Sequence, residues 1–128
     1  MSDDSAPKLF PCACCGHITL EESPGNYEIC PVCFWEDDGV QLRYPMRSGG
    51  ANEPSLIEAQ TNYRVFGASE ERFIRNVRGA RASEEVEKGW RPIEPETDRF
   101  ERKADADWPK DLTTLYWWRP TYWRASGT

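Results

Sequence analysis

Five cysteines stand at positions 12, 14, 15, 30 and 33, and four of them form two C-x2-C units, Cys12 to Cys15 and Cys30 to Cys33, with 14 residues between. No other feature restricts the fold as much. A C-x2-C loop turns two thiolates onto one ion while backbone amides point at the sulfurs. A second loop across a hairpin then completes a tetrahedron, with sulfur at ~2.3 Å from Zn²⁺. Cys12, Cys15, Cys30 and Cys33 are therefore the candidate metal ligands, and Gly16 relaxes the tight turn after the second of them. The spacer is slightly shorter than the usual ribbon range of ~15 to 20 residues, which a compact Pro24-Gly25 turn accommodates.

Four sulfurs close the coordination sphere and leave no position for substrate, so the expected metal is structural rather than catalytic. Zinc, one per chain, is the expected occupant; iron is the alternative, because a four-thiolate tetrahedron also suits an iron electron-transfer centre. Cys14 lies between two ligands and reads as a small buried residue, with a reactive thiol as the alternative. His17 is the one histidine. It reads as a strand residue, with a replacement ligand or a hydrogen bond to a ligand sulfur as alternatives.

At 128 residues the chain is one domain's length, with room for one modest core. No stretch approaches the ~20 apolar residues of a membrane span, and Met1 to Ser5 lack the basic and apolar regions of a secretory signal. A cytoplasmic protein is expected, and in a reducing compartment clustered cysteines read as a metal site before a disulfide framework. The net charge of −6 is unevenly placed: residues 1 to 40 carry eight acids and one base, and the remainder is nearly balanced. A nucleic-acid partner is disfavoured by an acidic ribbon, since phosphate contacts need lysine and arginine.

Residues 1 to 8 read as a disordered leader and 9 to 40 as the ribbon, in which His17 to Leu20 pairs with Tyr27 to Ile29 across Pro24-Gly25. Residues 36 to 53 carry turn formers throughout. A helix begins at Pro54-Ser55, with Glu58 at capping-box spacing, places Leu56, Ala59, Tyr63 and Phe66 on one stripe, and ends at Gly67. Ser69 is positioned to cap a second helix bearing Phe73, Ile74 and Val77, closed by Gly79. Residues 41 to 89 thus read as a helical hairpin packed on the ribbon. Residues 90 to 128 form a Pro- and Trp-rich extension in which Leu112 to Trp118 reads as a strand. The expected whole is one compact α+β domain.

Cys12 to Leu20, Tyr27 to Gly39, and the helical Ser55 to Ala59 with Phe66-Gly67-Ala68 and Glu71-Arg72-Phe73 resemble the bacterial cysteine-rich CPCC domain, a small zinc-ribbon-like family. The resemblance runs from about Phe10 to Arg78, and Ala13 stands where the family's name has proline. It implies a zinc-ribbon-like fold, Cys12, Cys15, Cys30 and Cys33 as ligands, Cys14 as the extra family cysteine, and no established reaction. An association of some small acidic bacterial proteins of this kind with toxin and immunity genes implies, as a hypothesis, an immunity or antitoxin-type role.

Two surfaces are candidates for partner binding. Glu36, Asp37 and Asp38 follow Phe34-Trp35 and read either as a docking surface for a basic toxin or effector or as a solvated loop. In the tail, Trp117, Trp118 and Trp123 belong to an aromatic cluster that mainly completes the core, leaving one or two tryptophans for an interface. Neighbouring strand residues face opposite ways, so Trp117 and Trp118 cannot both enter one core from a regular strand. Arg72, Arg75, Arg78 and Arg81 recur every third residue, but Glu70, Glu71, Glu84 and Glu85 flank them, and internal ion pairs are the expected use. The function expected is a non-catalytic zinc-binding protein-interaction module. The alternatives are a nucleic-acid-binding ribbon using Arg72, Arg75, Arg78 and the tail aromatics, and a rubredoxin-like iron protein, against which Phe34 counts. No nucleophile and base pair, phosphate loop or open metal site suggests an enzyme, and oligomeric state is not readable.

Overall fold

A computed structural model describes residues 8–101 and 107–123; the expected leader lies outside them except for Lys8. Strand β1 (Phe10–Pro11) pairs antiparallel with β2 (Ile18–Leu20), Phe10 opposite Leu20 and Pro11 opposite Ile18, with an irregularity between the two β1 residues. Two α-helices follow, α1 (Gly39–Arg43) and α2 (Leu56–Phe66), with single 3-10 turns at Glu71–Phe73 and Leu112–Leu115. The result is a small α+β zinc-ribbon-like fold.

The hairpin brackets the first knuckle rather than joining the two. Glu28 explains why His17 to Leu20 does not pair with Tyr27 to Ile29: its carboxylate accepts the backbone N–H of Glu21 (2.8 Å) and Glu22 (2.9 Å), so a side chain closes that loop. Ile29 instead bridges Glu36 across the second knuckle, and His17 bridges Val86.

Helix α2 obeys its local signals. The Ser55 hydroxyl accepts from Glu58 N at 3.1 Å, Glu58 Oε1 accepts from Ser55 N at 2.8 Å, and Gly67 ends the helix at φ 76°. Within the stretch expected to be loop, Asp38 caps α1 by accepting from Val40 N and Gln41 N. Its other oxygen takes Ala51 N at 2.9 Å. Gln41 and Asn52, both buried, hold the following loop: Gln41 Nε2 donates to the carbonyls of Arg47, Asn52 and Pro54, and its Oε1 accepts from Asn52.

The second helix of the expected hairpin is only a 3-10 turn. Ser69 does not cap it; its hydroxyl is buried and unpartnered among the described residues, and its N–H donates to the Cys33 carbonyl at 2.7 Å. Arg78 N similarly reaches the Pro31 carbonyl at 3.2 Å. The segment follows the second knuckle, and hydrogen bonds to it replace those a helix would make to itself.

The expected C-terminal strand is likewise a turn. Asp111 accepts from the backbone and hydroxyl of Thr113, and Thr114 donates its hydroxyl to the Asp111 carbonyl, a local pattern that competes with extended chain. The turn removes the alternation problem: Tyr116 stacks on Trp118 at 4.6 Å and Trp117 meets Trp118 edge-on at 4.7 Å. Leu115, Tyr116 and Trp117 join the cysteines, Leu20, Val32, Trp35, Leu42 and Leu56 in one core. Among the described residues, no helix is long and apolar enough to cross a membrane.

Candidate metal centre

The two knuckles repeat one hydrogen-bond pattern. Gly16 N donates to Cys12 O and Phe34 N to Cys30 O, both at 2.7 Å, while Cys12 N donates to His17 O at 2.9 Å and Cys30 N to Trp35 O at 3.0 Å. The residue after each second cysteine takes the left-handed conformation, Gly16 at φ 82° and Phe34 at φ 70°. Glycine adopts that conformation freely. Phenylalanine does so at a cost, and its ring is held against Phe73 at 4.6 Å between centroids.

These loops bring the sulfurs of Cys12, Cys15, Cys30 and Cys33 within 4.8 Å of one another, all four side chains being buried. Cys12 lies 3.5 Å from Cys33 and Cys15 lies 3.8 Å from Cys30. A tetrahedron of ~2.3 Å radius has edges of ~3.8 Å, so the spacing fits four thiolates around one ion. The Thr19 hydroxyl adds a contact to Cys30 Sγ at 3.2 Å.

The electrostatics explain why such a group needs a cation. Burial pushes the Cys12 and Cys33 thiols well above their ordinary range, whereas hydrogen bonds from Cys12, Cys15 and Cys33 hold Cys30 far below it. One thiolate shared among protonated neighbours is what the thiols sustain by themselves. A bound metal supplies the positive charge that allows all four to ionise.

The other candidate residues fall into two groups. His17 does not join the converging sulfurs: its Nδ1 donates to the Glu84 carbonyl at 2.6 Å, which fixes the segment beyond residue 80 against the first knuckle. Cys14 is buried beside Cys33 and borders a cavity of about 160 Å³ with Cys15, Tyr63 and Trp90. Glu36 is half-buried and its backbone N–H donates to Asn52 Oδ1. Asp37 and Asp38 are buried, at 3% and 5% exposure, Asp38 being the α1 cap. An acidic run in the chain is therefore not an acidic docking face in the fold. Trp117 is buried, Trp118 donates its indole N–H to Glu87 at 2.6 Å, and Trp123 lies over the Arg43 guanidinium at 5.0 Å.

Three residues that support the knuckles are not evident from the cysteine pattern. Thr19 reaches Cys30 from β2, Trp90 lies where a side chain on Gly16 would go, and buried Gln60 donates to the Ala13 carbonyl. Gln60 carries a signal of its own, a polar residue on the inward stripe of α2 beside Leu56 and Ala59.

Residues 10–84 match the family described as Cysteine-rich CPCC, more than half of the chain. The protein belongs to the cysteine-rich CPCC family. No curated protein matches it. Within the family segment lie both knuckles, both helices and the Glu71–Phe73 turn, but not the Leu112–Leu115 turn or the aromatic residues that follow it. In this CPCC protein Leu115, Tyr116 and Trp117 share one buried core with the four converging cysteines.

Proposed function

We propose that this is a non-catalytic module in which one zinc ion holds two knuckles together and whose task is to bind another protein. The observation that carries the reading is the closure of the site: four cysteines converge, each at most 2% exposed, and every one of them is needed to complete a tetrahedron. Catalysis at zinc needs an open position, and this arrangement offers a substrate none.

The net charge of −6 and the ion pairs of Arg72 and Arg78 support protein over nucleic acid as partner. Arg72 pairs with Glu70 and Arg78 with Glu84, both at 2.7 Å, as the flanking glutamates suggest. The role that fits best is an immunity or antitoxin-type partner of a basic bacterial protein in the cytoplasm.

Native mass spectrometry of protein purified without added metal tests this directly. One zinc per chain and a co-purifying protein support the proposal. Iron would favour electron transfer, and metal-free folded protein would overturn the structural role of the site.

A further inference from the structure

We propose that the groove between the outer face of α2 and the Glu71–Phe73 turn docks a basic, apolar-anchored segment of a partner protein. The inference rests on the binding-module reading and assigns that reading a surface, now that Asp37, Asp38 and Trp117 are found buried. The groove has a volume of about 770 Å³, within the range of ligand clefts and large enough for a few side chains rather than a domain.

Its shape follows from the way α2 is placed. Leu56, Ala59 and Gln60 face inward and are buried, which leaves Ile57 and Phe66, half-buried, with Thr61 on the open side. The opposite wall is held at fixed separation: Asn62 Nδ2 donates to the Ser69 carbonyl at 2.9 Å, and Ser69 N donates to the Cys33 carbonyl. A residue of the metal centre thus anchors the wall of the groove, so a metal bound there would stiffen this surface.

Charge decides the occupant. Glu53, Glu58, Glu70 and Glu71 line the groove with Arg72 as the one base, and Arg72 is taken up by Glu70 and lies over the Phe73 ring at 4.5 Å. Four carboxylates against one guanidinium leave the groove net acidic: Arg72 is drawn to both Glu70 and Glu53, and Glu58 uses one oxygen in the capping box. An anionic partner is repelled there. A neutral apolar one would strip water from the carboxylates without replacing it. A segment with lysine or arginine beside apolar residues answers both demands, since the apolar residues pack on Ile57 and Phe66 while the cationic heads reach the carboxylates.

The test is fluorescence anisotropy on the full zinc-loaded chain with a labelled synthetic peptide of alternating lysine and leucine, and with lysine–serine and glutamate–leucine peptides as controls. The lysine–leucine peptide should bind, and the pair Glu53→Lys with Glu71→Lys should weaken it by about tenfold or more, roughly the effect of 1.4 kcal/mol. Glu21→Lys with Glu22→Lys makes the same charge change outside the groove and should leave affinity within about twofold. Thr61→Lys, an exposed substitution that suits a helix, is a second variant and should also weaken binding.

Equal weakening by the two glutamate pairs, equal binding of the lysine–serine peptide, or no binding by the wild type overturns the proposal. Displacement of the peptide by micromolar Ca²⁺ would reassign the carboxylates to a cation and also overturn it. A natural partner retained by the groove variants would refute the groove while sparing the module reading; failure to find any partner strikes at that reading itself.

Discussion

Gln60, in the middle of α2, donates from Nε2 to the Ala13 carbonyl at 3.0 Å, inside the first knuckle. Its Oε1 accepts from Ile93 N at 2.9 Å, so one buried side chain fastens the cysteine loop to the helix and to the segment beyond the family boundary. Gln60→Leu would keep the volume and leave both backbone groups buried and unpaired, at about 1–3 kcal/mol each. Lower stability in chemical denaturation and faster metal loss to a chelator are expected. Unchanged metal loss would mean that Ala13 does not need this anchor.

Two of the left-handed glycines, Gly67 and Gly16, separate backbone strain from crowding. At Gly67, φ 76°, an added Cβ meets nothing within 4 Å, so Gly67→Ala should cost roughly 1 kcal/mol from conformation alone. At Gly16, φ 82°, the Cβ would stand 2.5 Å from the Trp90 ring. Gly16→Ala should therefore be clearly the more destabilising in thermal melts. Equal losses would show that Trp90 moves aside freely.

Asp37 sets a pH dependence. Burial raises its carboxyl to about 7 from 3.8, opposed by a hydrogen bond from Gly25 and assisted by Glu28 and Asp38. The folded state then holds a proton that the unfolded chain has lost, so this residue's contribution is full below 3.8 and falls away as pH rises to about 7. Among the described residues its Oδ2 has no hydrogen-bond partner. Asp37→Asn should therefore gain stability relative to the wild type, on the order of 1–3 kcal/mol between pH 5 and pH 8. Urea denaturation of the zinc-loaded proteins at the two pH values measures it, and a pH-independent difference would refute it.

Metal binding runs the other way with pH. Cys12 and Cys33 hold their protons tightly, so the ion must displace them, and apparent affinity should fall as the solution is acidified. Chelation, or Cys12→Ser or Cys33→Ser, should unfold the ribbon and release the metal. Cys14→Ser should retain one metal per chain, because Cys14 stands outside the converging four. Metal analysis with circular dichroism checks each variant, and loss of metal from Cys14→Ser would place that thiol in the site.

The parts of the fold legible from the chain were those specified within a few residues. The C-x2-C spacing locates both knuckles, and Ser55 with Glu58 locates the start of α2, because each motif satisfies its own backbone. Asp38-Gly39 announces a turn, and the same residue chemistry serves as a helix cap, so α1 is hidden behind an ambiguous signal. The second helix fails for a different reason. Ser69 and Arg78 give their N–H groups to Cys33 and Pro31, more than thirty residues earlier in the chain, and no local pattern announces that trade. Leu112 to Trp118 has strand-forming residues but no strand beside it among the described residues, and Asp111 decides in favour of a turn. The acidic run was legible as composition only, since burial of Asp37 and Asp38 depends on what packs over them.

The Tyr116 hydroxyl donates to the Pro11 carbonyl across 105 residues, and Leu115, Tyr116 and Trp117 sit in the same core as the cysteines. During synthesis the knuckles leave the ribosome long before their lid exists. An ion captured at that stage would be held by cysteines that still lack these aromatic neighbours. The last cover over the cysteines thus comes from aromatic residues outside the family segment.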